Sequence, residues 1–205
     1  MPLIAILRNQ QVEHIDMLVQ AVANGGFYAM EITMNTPKAG EQIRAAISSA
    51  ENRLTIGAGT VTCLAELDRA QEAGANFIVT PIVVPEVISE CVSRGLAVFP
   101  GALTPTEVHQ AHQLGSTMVK LFPAHRFGPD YLRDLKAPLS SVRLLATGGI
   151  TPETIPAYVS AGADGFGIGS PLFQTDRIAA NDWVWLQSRA AHFCSTWKAS
   201  VNHGL

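Results

Sequence analysis

Two charged residues stand in segments of the sequence that are otherwise apolar. Lys120 lies in the run 118–122, and Glu31 lies in the run 29–33. Burial disfavours the charged form of an amine and lowers its pKa, and a neutral amine forms Schiff bases with carbonyl groups. A carboxyl group buried beside such an amine can act as a general acid and base. Together these two residues predict carbonyl chemistry.

Both residues also have purely structural interpretations. Lys120 could extend its ammonium group to a solvated rim or pair with a carboxylate. Glu31 could form a structural ion pair with Lys120 or with Arg8. The residues alone leave these alternatives open.

Two glycine-rich segments late in the chain are candidates for anion binding. Gly148 and Gly149 follow one apolar run, and Gly169 and Ser170 follow the next. Such loops offer backbone N–H groups, and barrels commonly hold a phosphate in the loops after strands seven and eight. The pair of loops therefore predicts a phosphate site.

A third glycine-containing segment, residues 57–61, suits a carboxylate. Gly59 offers a backbone donor and Thr60 a hydroxyl at the end of an apolar run. Alternatively, Thr60 caps the helix that is predicted to begin near Leu64.

The elements that must position these residues repeat along the chain in units of 20–25 residues. Helical stretches end at a glycine, or at Asn or Pro at two junctions, and a short apolar run follows each one. Continuous apolar runs are typical of parallel strands covered on both faces. The predicted strands are 3–7, 28–33, 54–58, 77–80, 97–99, 117–122, 142–146 and 165–168. The predicted helices are 12–23, 38–49, 64–72, 85–93, 105–113, 129–135, 152–160 and 179–199.

Eight such units predict an α/β protein, a (β/α)8 TIM barrel that forms a single domain over residues 1–205. A doubly wound open sheet is the alternative. The even spacing, and the absence of a Gly-x-Gly-x-x-Gly motif after the first strand, favour the barrel. Because the active sites of these barrels lie at the carboxyl ends of the strands, we expect the candidate residues to meet at one face.

The composition argues against several classes of function. The 205 residues are 47% hydrophobic and 15% charged, which is typical of a large core. The net charge of −3, without any basic run, argues against nucleic-acid binding. The apolar segment 1–8 is too short for a signal sequence or a membrane span. We therefore expect a soluble, cytoplasmic protein.

Cysteine and histidine spacing predicts no metal site. Cys63, Cys91 and Cys194 are scattered and odd in number, which fits a reducing compartment and small buried side chains. His109 and His112 are three positions apart on a predicted helix without a third ligand, so we expect them to face solvent. The residues call for no metal and no organic cofactor.

Six segments occur in order along nearly the whole chain. They are Glu31-Ile32-Thr33, Gly57-Ala58-Gly59-Thr60-Val61, Pro100-Gly101, Lys120-Leu121-Phe122-Pro123-Ala124, Thr147-Gly148-Gly149-Ile150 and Gly167-Ile168-Gly169-Ser170. Together they resemble the 2-keto-3-deoxy-6-phosphogluconate aldolase family, which includes the 6-phosphogalactonate and 4-hydroxy-2-oxoglutarate aldolases. The resemblance implies a (β/α)8 barrel, usually a homotrimer. It also implies class I cleavage of a phosphorylated keto acid to pyruvate and glyceraldehyde 3-phosphate, with no cofactor.

The same resemblance implies a role for each matching residue. Lys120 is the Schiff-base lysine, and Glu31 is the acid and base that moves protons through a bound water. The remaining roles are the pyruvate carboxylate site (Gly59 and Thr60), the walls around the pyruvyl group (Pro81 and Phe122), a contact beside the sugar hydroxyls (Thr147) and the phosphate cradle (Gly148, Gly149, Gly169 and Ser170).

One position departs from the phosphogluconate pattern. That pattern, Glu-x-Thr-x-Arg, ends in a carboxylate-binding Arg, whereas Asn35 stands here. The phosphogalactonate pattern also has Asn there, together with an Arg at the end of strand one, as Arg8 is. We hypothesise that Arg8 holds the carboxylate, since a guanidinium binds it bidentately. Thr147, however, matches the phosphogluconate pattern, where the phosphogalactonate pattern has Val, so the C4 configuration of the substrate stays open.

Three other functions fit parts of the pattern. The unphosphorylated 4-hydroxy-2-oxoglutarate is a competing substrate within the family. A thiamine-phosphate-synthase-like transferase would need Mg²⁺ and an acidic cluster, which no predicted strand end carries. A phosphosugar-binding module without turnover would have no use for both Lys120 and Glu31.

Overall fold

Eight parallel strands close into a barrel in the order of the sequence, β1 to β8. The computed structural model describes residues 3–10 and 12–202. The strands are β1 (Leu3–Leu7), β2 (Ala29–Thr33), β3 (Thr55–Gly59), β4 (Phe77–Thr80), β5 (Ala97–Ala102), β6 (Val119–Leu121), β7 (Leu144–Thr147) and β8 (Gly165–Ile168). Because β1 pairs with both β2 and β8, the predicted barrel is confirmed and the open sheet is wrong.

Helices connect the strands around the outside of the barrel. The α-helices of the described residues are α1 (Ile15–Asn24), α2 (Ala39–Ala50), α3 (Leu64–Glu72), α4 (Pro85–Ser93), α5 (Pro105–Gln113), α6 (Gly128–Lys136), α7 (Ile155–Ser160), α8 (Thr175–Ala179) and α9 (Trp183–Asn202). Short 3-10 turns cover Val12–His14 and Ala124–Arg126. The glycines at five helix ends adopt positive φ, as a C-terminal cap requires, at Gly26, Gly74, Gly95, Gly115 and Gly162.

Two predicted helices differ from the structure. The predicted helix 179–199 is wrong at its start, because Asn181 takes a left-handed conformation (φ 53°) and separates α8 from α9. Asp182 directly precedes α9, and its side chain accepts a hydrogen bond from the Trp185 backbone N–H in the first turn of that helix. The predicted helix 152–160 begins only at α7, because the Thr154 hydroxyl accepts the Thr151 N–H and holds a turn there.

The core has two parts. One lies between the strands and the surrounding helices. The other fills the barrel interior away from the carboxyl ends of the strands, and it consists of Ile4, Ala29, Phe77, Val79, Phe99, Met118 and Leu145. This inner cluster fills the barrel interior on the amino-terminal side of the strand ends at which the active sites of such barrels lie.

The cysteine prediction is partly wrong. Cys91 and Cys194 are buried as expected, but Cys63 is exposed at the residue preceding α3. Within residues 3–10 and 12–202, no helix has both the length and the apolar character needed to cross a membrane. The predicted domain 1–205 includes residues 1, 2, 11 and 203–205, which lie outside the described residues.

Candidate active site

The alternation of side chains along the strands brings the candidate residues into the barrel interior. Ala29 and Met118 belong to the inner cluster, so Glu31 and Lys120, two positions further along, point the same way. The same step of two along other strands reaches interior positions at Arg8, Gly59, Pro81, Thr147, Gly149 and Gly169. The candidates therefore meet on the carboxyl-terminal side of the inner cluster, which is where the active sites of (β/α)8 barrels lie.

A cavity of about 590 Å³ opens at this end of the barrel. Ten of the twelve predicted site residues line it: Arg8, Thr60, Pro81, Lys120, Phe122, Thr147, Gly148, Gly149, Gly169 and Ser170. The other two, Glu31 and Gly59, are buried side by side in the barrel wall. A cavity of this size suits a small organic ligand.

Lys120 reaches the cavity from β6 while remaining 5% exposed. Its Nζ lies 5.4 Å from the centroid of the Phe122 ring. Burial lowers the pKa of Lys120, the charge of Glu31 opposes that effect, and the positive charge of Arg8 adds to it. Because Lys120 is buried, the interpretation that places its ammonium group at a solvated rim is wrong. Among the described residues Lys120 forms no ion pair, so the interpretation as a paired lysine is wrong as well.

Glu31 is the second buried ionisable group of the site, at 1% exposed. Burial raises its pKa, against the opposing attraction of Lys120 and Arg8. Its Oε1 has no hydrogen-bond partner, and within residues 3–10 and 12–202 no ion pair involves Glu31. The structural ion pair is therefore wrong. A carboxyl oxygen that is buried without a partner costs stability, which is typical of a functional group.

Gly59 makes the position of Glu31 possible. A Cβ atom added to Gly59 would overlap the Glu31 carboxyl group. Thr33 of β2 is the strand partner of Gly59, so Gly59 lies on the strand next to the one that carries Glu31. Only the absence of a side chain at Gly59 gives the carboxyl group its place in the wall.

Arg8 and Thr60 meet across the cavity mouth. The Arg8 guanidinium donates a hydrogen bond of 3.4 Å to the Thr60 hydroxyl. Thr60 does not cap α3, which follows Cys63 and has no side-chain cap, so that alternative is wrong. Thr60 also adopts φ 57°, a strained conformation for a β-branched residue and one that clusters at functional sites. Asn35, which stands where the phosphogluconate pattern has Arg, is exposed and does not line the cavity. Among the residues that line the cavity, Arg8 is the cationic residue besides Lys120.

The two glycine-rich loops lie on the same cavity. Gly148 and Gly149 both have positive φ, at 96° and 67°. A Cβ atom on Gly149 would lie 2.7 Å from the Cβ of His125, which packs against this loop. Ser170 is exposed at the cavity rim after β8. The four residues predicted to hold a phosphate thus lie on one cavity, in the loops after β7 and β8.

The cavity walls between Lys120, Arg8 and the glycine-rich loops are formed by Thr147, Pro81 and Phe122. Thr147 is buried, and a Cβ on Gly167 of the neighbouring strand would lie 2.5 Å from its hydroxyl. Phe122 stays 43% exposed at the mouth of the cavity. The cavity has six further lining residues that the sequence analysis did not single out: Ile6 of β1, Asn9 and Gln10 after β1, Pro171 and Phe173 after β8, and Thr175 at the start of α8. In the sequence, the feature that could have identified Asn9 and Gln10 as lining residues is their position directly after Arg8.

No metal centre is built into the part of the chain that the structure describes, where no three His, Cys, Asp or Glu side chains are grouped as ligands. His109 is exposed and His112 half-buried on α5.

Residues 1–188 match the family model described as KDPG and KHG aldolase. The chain belongs to the KDPG and KHG aldolase family. The resemblance drawn from the six sequence segments is thereby confirmed. The aldolase also carries, at the carboxyl ends of its strands, the buried lysine and the buried glutamate on which that resemblance depends.

The relatives of the aldolase cover nearly its whole length. It is 39% identical to a 2-dehydro-3-deoxy-6-phosphogalactonate aldolase of Escherichia coli (strain K12), over 98% of this chain and 97% of that one. It is 34% identical to a 2-dehydro-3-deoxy-phosphogluconate aldolase of Treponema pallidum (strain Nichols), over 88% and 86%. A solved structure described as native KDPGal superposes with a TM-score of 0.92 at 36% identity, covering 98% of this chain and 97% of that one.

Proposed function

We propose that this aldolase cleaves the C3–C4 bond of a 2-keto-3-deoxy-6-phospho-sugar acid, of the gluconate or galactonate type. The products are pyruvate and glyceraldehyde 3-phosphate. The observation that carries the proposal is the amine of Lys120, buried in the barrel yet lining the cavity that the two glycine-rich loops also line.

The reaction begins at Lys120. Because burial lowers the pKa of Lys120, a larger fraction of the amine is neutral and able to attack the C2 carbonyl. The carbinolamine that forms takes up a proton from solvent and loses water to give a protonated imine. This cation accepts the electron pair of the C3–C4 bond as the bond breaks, which leaves a neutral enamine and the free aldehyde.

Glu31 provides the proton transfers. As a carboxylate it takes the proton of the C4 hydroxyl while the bond breaks, directly or through one water molecule, and it then returns a proton to C3 of the enamine. Burial raises the pKa of Glu31 toward the range in which one group both accepts and donates a proton. Water then hydrolyses the imine and releases pyruvate from Lys120.

Arg8 and Thr60 hold the carboxylate of the keto acid. Both line the cavity with Lys120, and their side chains already touch. A guanidinium offers paired N–H donors that match a carboxylate, and this contact fixes the ketone against the amine.

The loops at Gly148, Gly149, Gly169 and Ser170 hold the phosphate. Their backbone N–H groups and the Ser170 hydroxyl lie away from the bond that breaks, so they supply binding energy that orients the substrate. This arrangement favours a phosphorylated substrate over 4-hydroxy-2-oxoglutarate, which carries a carboxylate at C5 but no phosphate.

The chain acts in this proposal as a single aldolase domain in the cytoplasm, and it assembles as a homotrimer. Two of its three cysteines are buried free thiols, which suits a reducing compartment. The homotrimer is the assembly that the resemblance to the family implies. Light scattering of the purified protein tests the trimer.

The experiment that tests the function measures pyruvate release from the phosphogluconate and phosphogalactonate epimers side by side, and from 4-hydroxy-2-oxoglutarate. We expect cleavage of at least one phosphorylated acid with a higher kcat/KM than the unphosphorylated acid, and equal rates with and without EDTA. Activity that EDTA abolishes, or a preference for the unphosphorylated acid, would overturn the proposal.

A further inference from the structure

Three buried polar side chains connect the second β/α unit to the loop that carries Arg8. Thr33 is 0% exposed, Thr36 is 4% exposed and Gln42 is 1% exposed. None of the three lines the cavity. Buried polar groups of this kind are retained when their hydrogen bonds fix a particular arrangement.

Their hydrogen bonds reach the backbone directly after Arg8. The Thr36 hydroxyl accepts the Asn9 N–H at 3.0 Å and lies 3.0 Å from the Thr33 hydroxyl. The Gln42 amide donates to the Gln10 carbonyl at 2.8 Å. Two successive residues of the Arg8 loop are thus bonded to side chains of α2 and of the segment between β2 and α2, and Thr33 of β2 bonds in turn to Thr36.

The backbone at Asn9 shows why such bonds are needed. Asn9 has φ 54°, a left-handed conformation that residues other than glycine adopt at a cost in free energy. Strained conformations persist where the surroundings hold them. The turn at Asn9 directly follows Arg8, whose side chain reaches Thr60 on the neighbouring cavity wall.

We propose that Thr36 is a positioning residue for carboxylate recognition, with Gln42 as a second anchor. By holding Asn9 in its left-handed turn, Thr36 keeps the Arg8 guanidinium beside Thr60, ready for the carboxylate of the keto acid. This inference rests on the proposed role of Arg8. Neither Thr36 nor Gln42 touches the substrate, and their effect passes through Arg8 alone.

The test is a double-mutant cycle between Thr36 and Arg8. Thr36→Val keeps the shape of the side chain and removes the hydroxyl, whereas Thr36→Ser keeps the hydroxyl. The readout is the pyruvate concentration that gives half-maximal borohydride trapping, together with KM and kcat for cleavage. Circular dichroism and thermal unfolding establish that each variant is folded.

We expect Thr36→Val to raise the half-maximal pyruvate concentration and KM by about tenfold, the effect of losing one hydrogen bond's contribution, with kcat changed less than about twofold. Thr36→Ser restores the wild-type affinity. In the Arg8→Ala background, Thr36→Val adds nothing, because residues that act through one another are not additive. Gln42→Met, which removes the bond to Gln10, shows the same pattern in an independent position.

The outcomes separate the two proposals. If Arg8→Ala weakens pyruvate binding while Thr36→Val and Gln42→Met leave it unchanged, or weaken it equally with and without Arg8, the positioning role is overturned and the proposed function stands. If Arg8→Ala itself leaves pyruvate binding unchanged, the proposed role of Arg8 fails, and the positioning role fails with it.

Discussion

Glu31 and Gly59 lie so close in the barrel wall that any side chain on Gly59 would occupy the place of the Glu31 carboxyl group. The two residues come from adjacent strands, and each is buried. Gly59 is the last residue of β3, and a glycine in a strand often marks a close approach, which here is that of the Glu31 side chain. The position of the general acid and base in the proposed mechanism therefore depends on a neighbour that has no side chain.

Gly59→Ala is expected to displace Glu31 and to lower kcat by about 100-fold, the lower end of what general acid–base catalysis contributes. Borohydride trapping of pyruvate on Lys120 should survive, since the amine is untouched. Gly40→Ala is the matched control, because its Cβ would meet no atom closer than 3.8 Å. A Gly59→Ala enzyme with wild-type kcat would show that Glu31 does not depend on this gap.

Glu31→Gln is expected to move the pH dependence of trapping to lower pH. The negative charge of Glu31 raises the pKa of Lys120 and so opposes the effect of burial. Without that charge the amine loses its proton at a lower pH, so the pH at which the trapping rate reaches half of its maximum is lower. The rate of borohydride trapping at saturating pyruvate, measured across a pH series, checks this; an upward shift would mean that the two groups do not interact as the structure indicates.

The buried amine should also carry a cost in stability. The pKa of Lys120 is lower in the folded protein than its ordinary value of 10.5, so the unfolded chain binds more protons in the interval between the two. Stability therefore rises with pH across that interval, and the full penalty is present below the folded-state pKa.

Lys120→Met removes this penalty. Introduced into Glu31→Gln, so that no carboxylate is left without its cation, it should raise the free energy of unfolding at neutral pH, because an uncharged side chain carries no cost of burying a charge. Urea titrations of the single and double variants at several pH values measure this difference. The account of Lys120 as a strained, desolvated amine fails if the double variant is less stable at every pH.

Ser170→Ala tests the phosphate cradle separately from the chemistry. Loss of one hydroxyl donor to a charged group should raise KM for the phosphorylated acid by about tenfold. The KM for 4-hydroxy-2-oxoglutarate, which has no phosphate, should not change, and this substrate serves as the internal control. Equal changes for both substrates would place Ser170 near the keto acid instead.

The fold and most of the site follow from local properties of the sequence. Apolar runs separated by glycine-terminated helices define the strands. Because the carboxyl ends of the strands of a barrel lie at one face, Lys120, Glu31 and Arg8 are then expected to meet there. These predictions succeed because strand alternation and strand order are set by short segments. The resemblance to the aldolase family assigned Pro81, Phe122 and Thr147 to the site, and these three residues line the same cavity.

Other features depend on contacts between distant segments, and the sequence does not reveal them. The break between α8 and α9 requires the left-handed conformation of Asn181, which its residue type permits but does not demand. The hydroxyl of Thr60 bonds to Arg8, 52 positions away, and does not cap a nearby helix. The bond between Gln42 and Gln10 likewise joins two β/α units and has no local pattern.

The measurement that tests the central claim most directly is peptide mass spectrometry after the protein is treated with borohydride in the presence of pyruvate. The account predicts one reduced pyruvyl adduct, located on Lys120, and no adduct in Lys120→Ala. An adduct on any other residue, or full cleavage activity in Lys120→Ala, would contradict it.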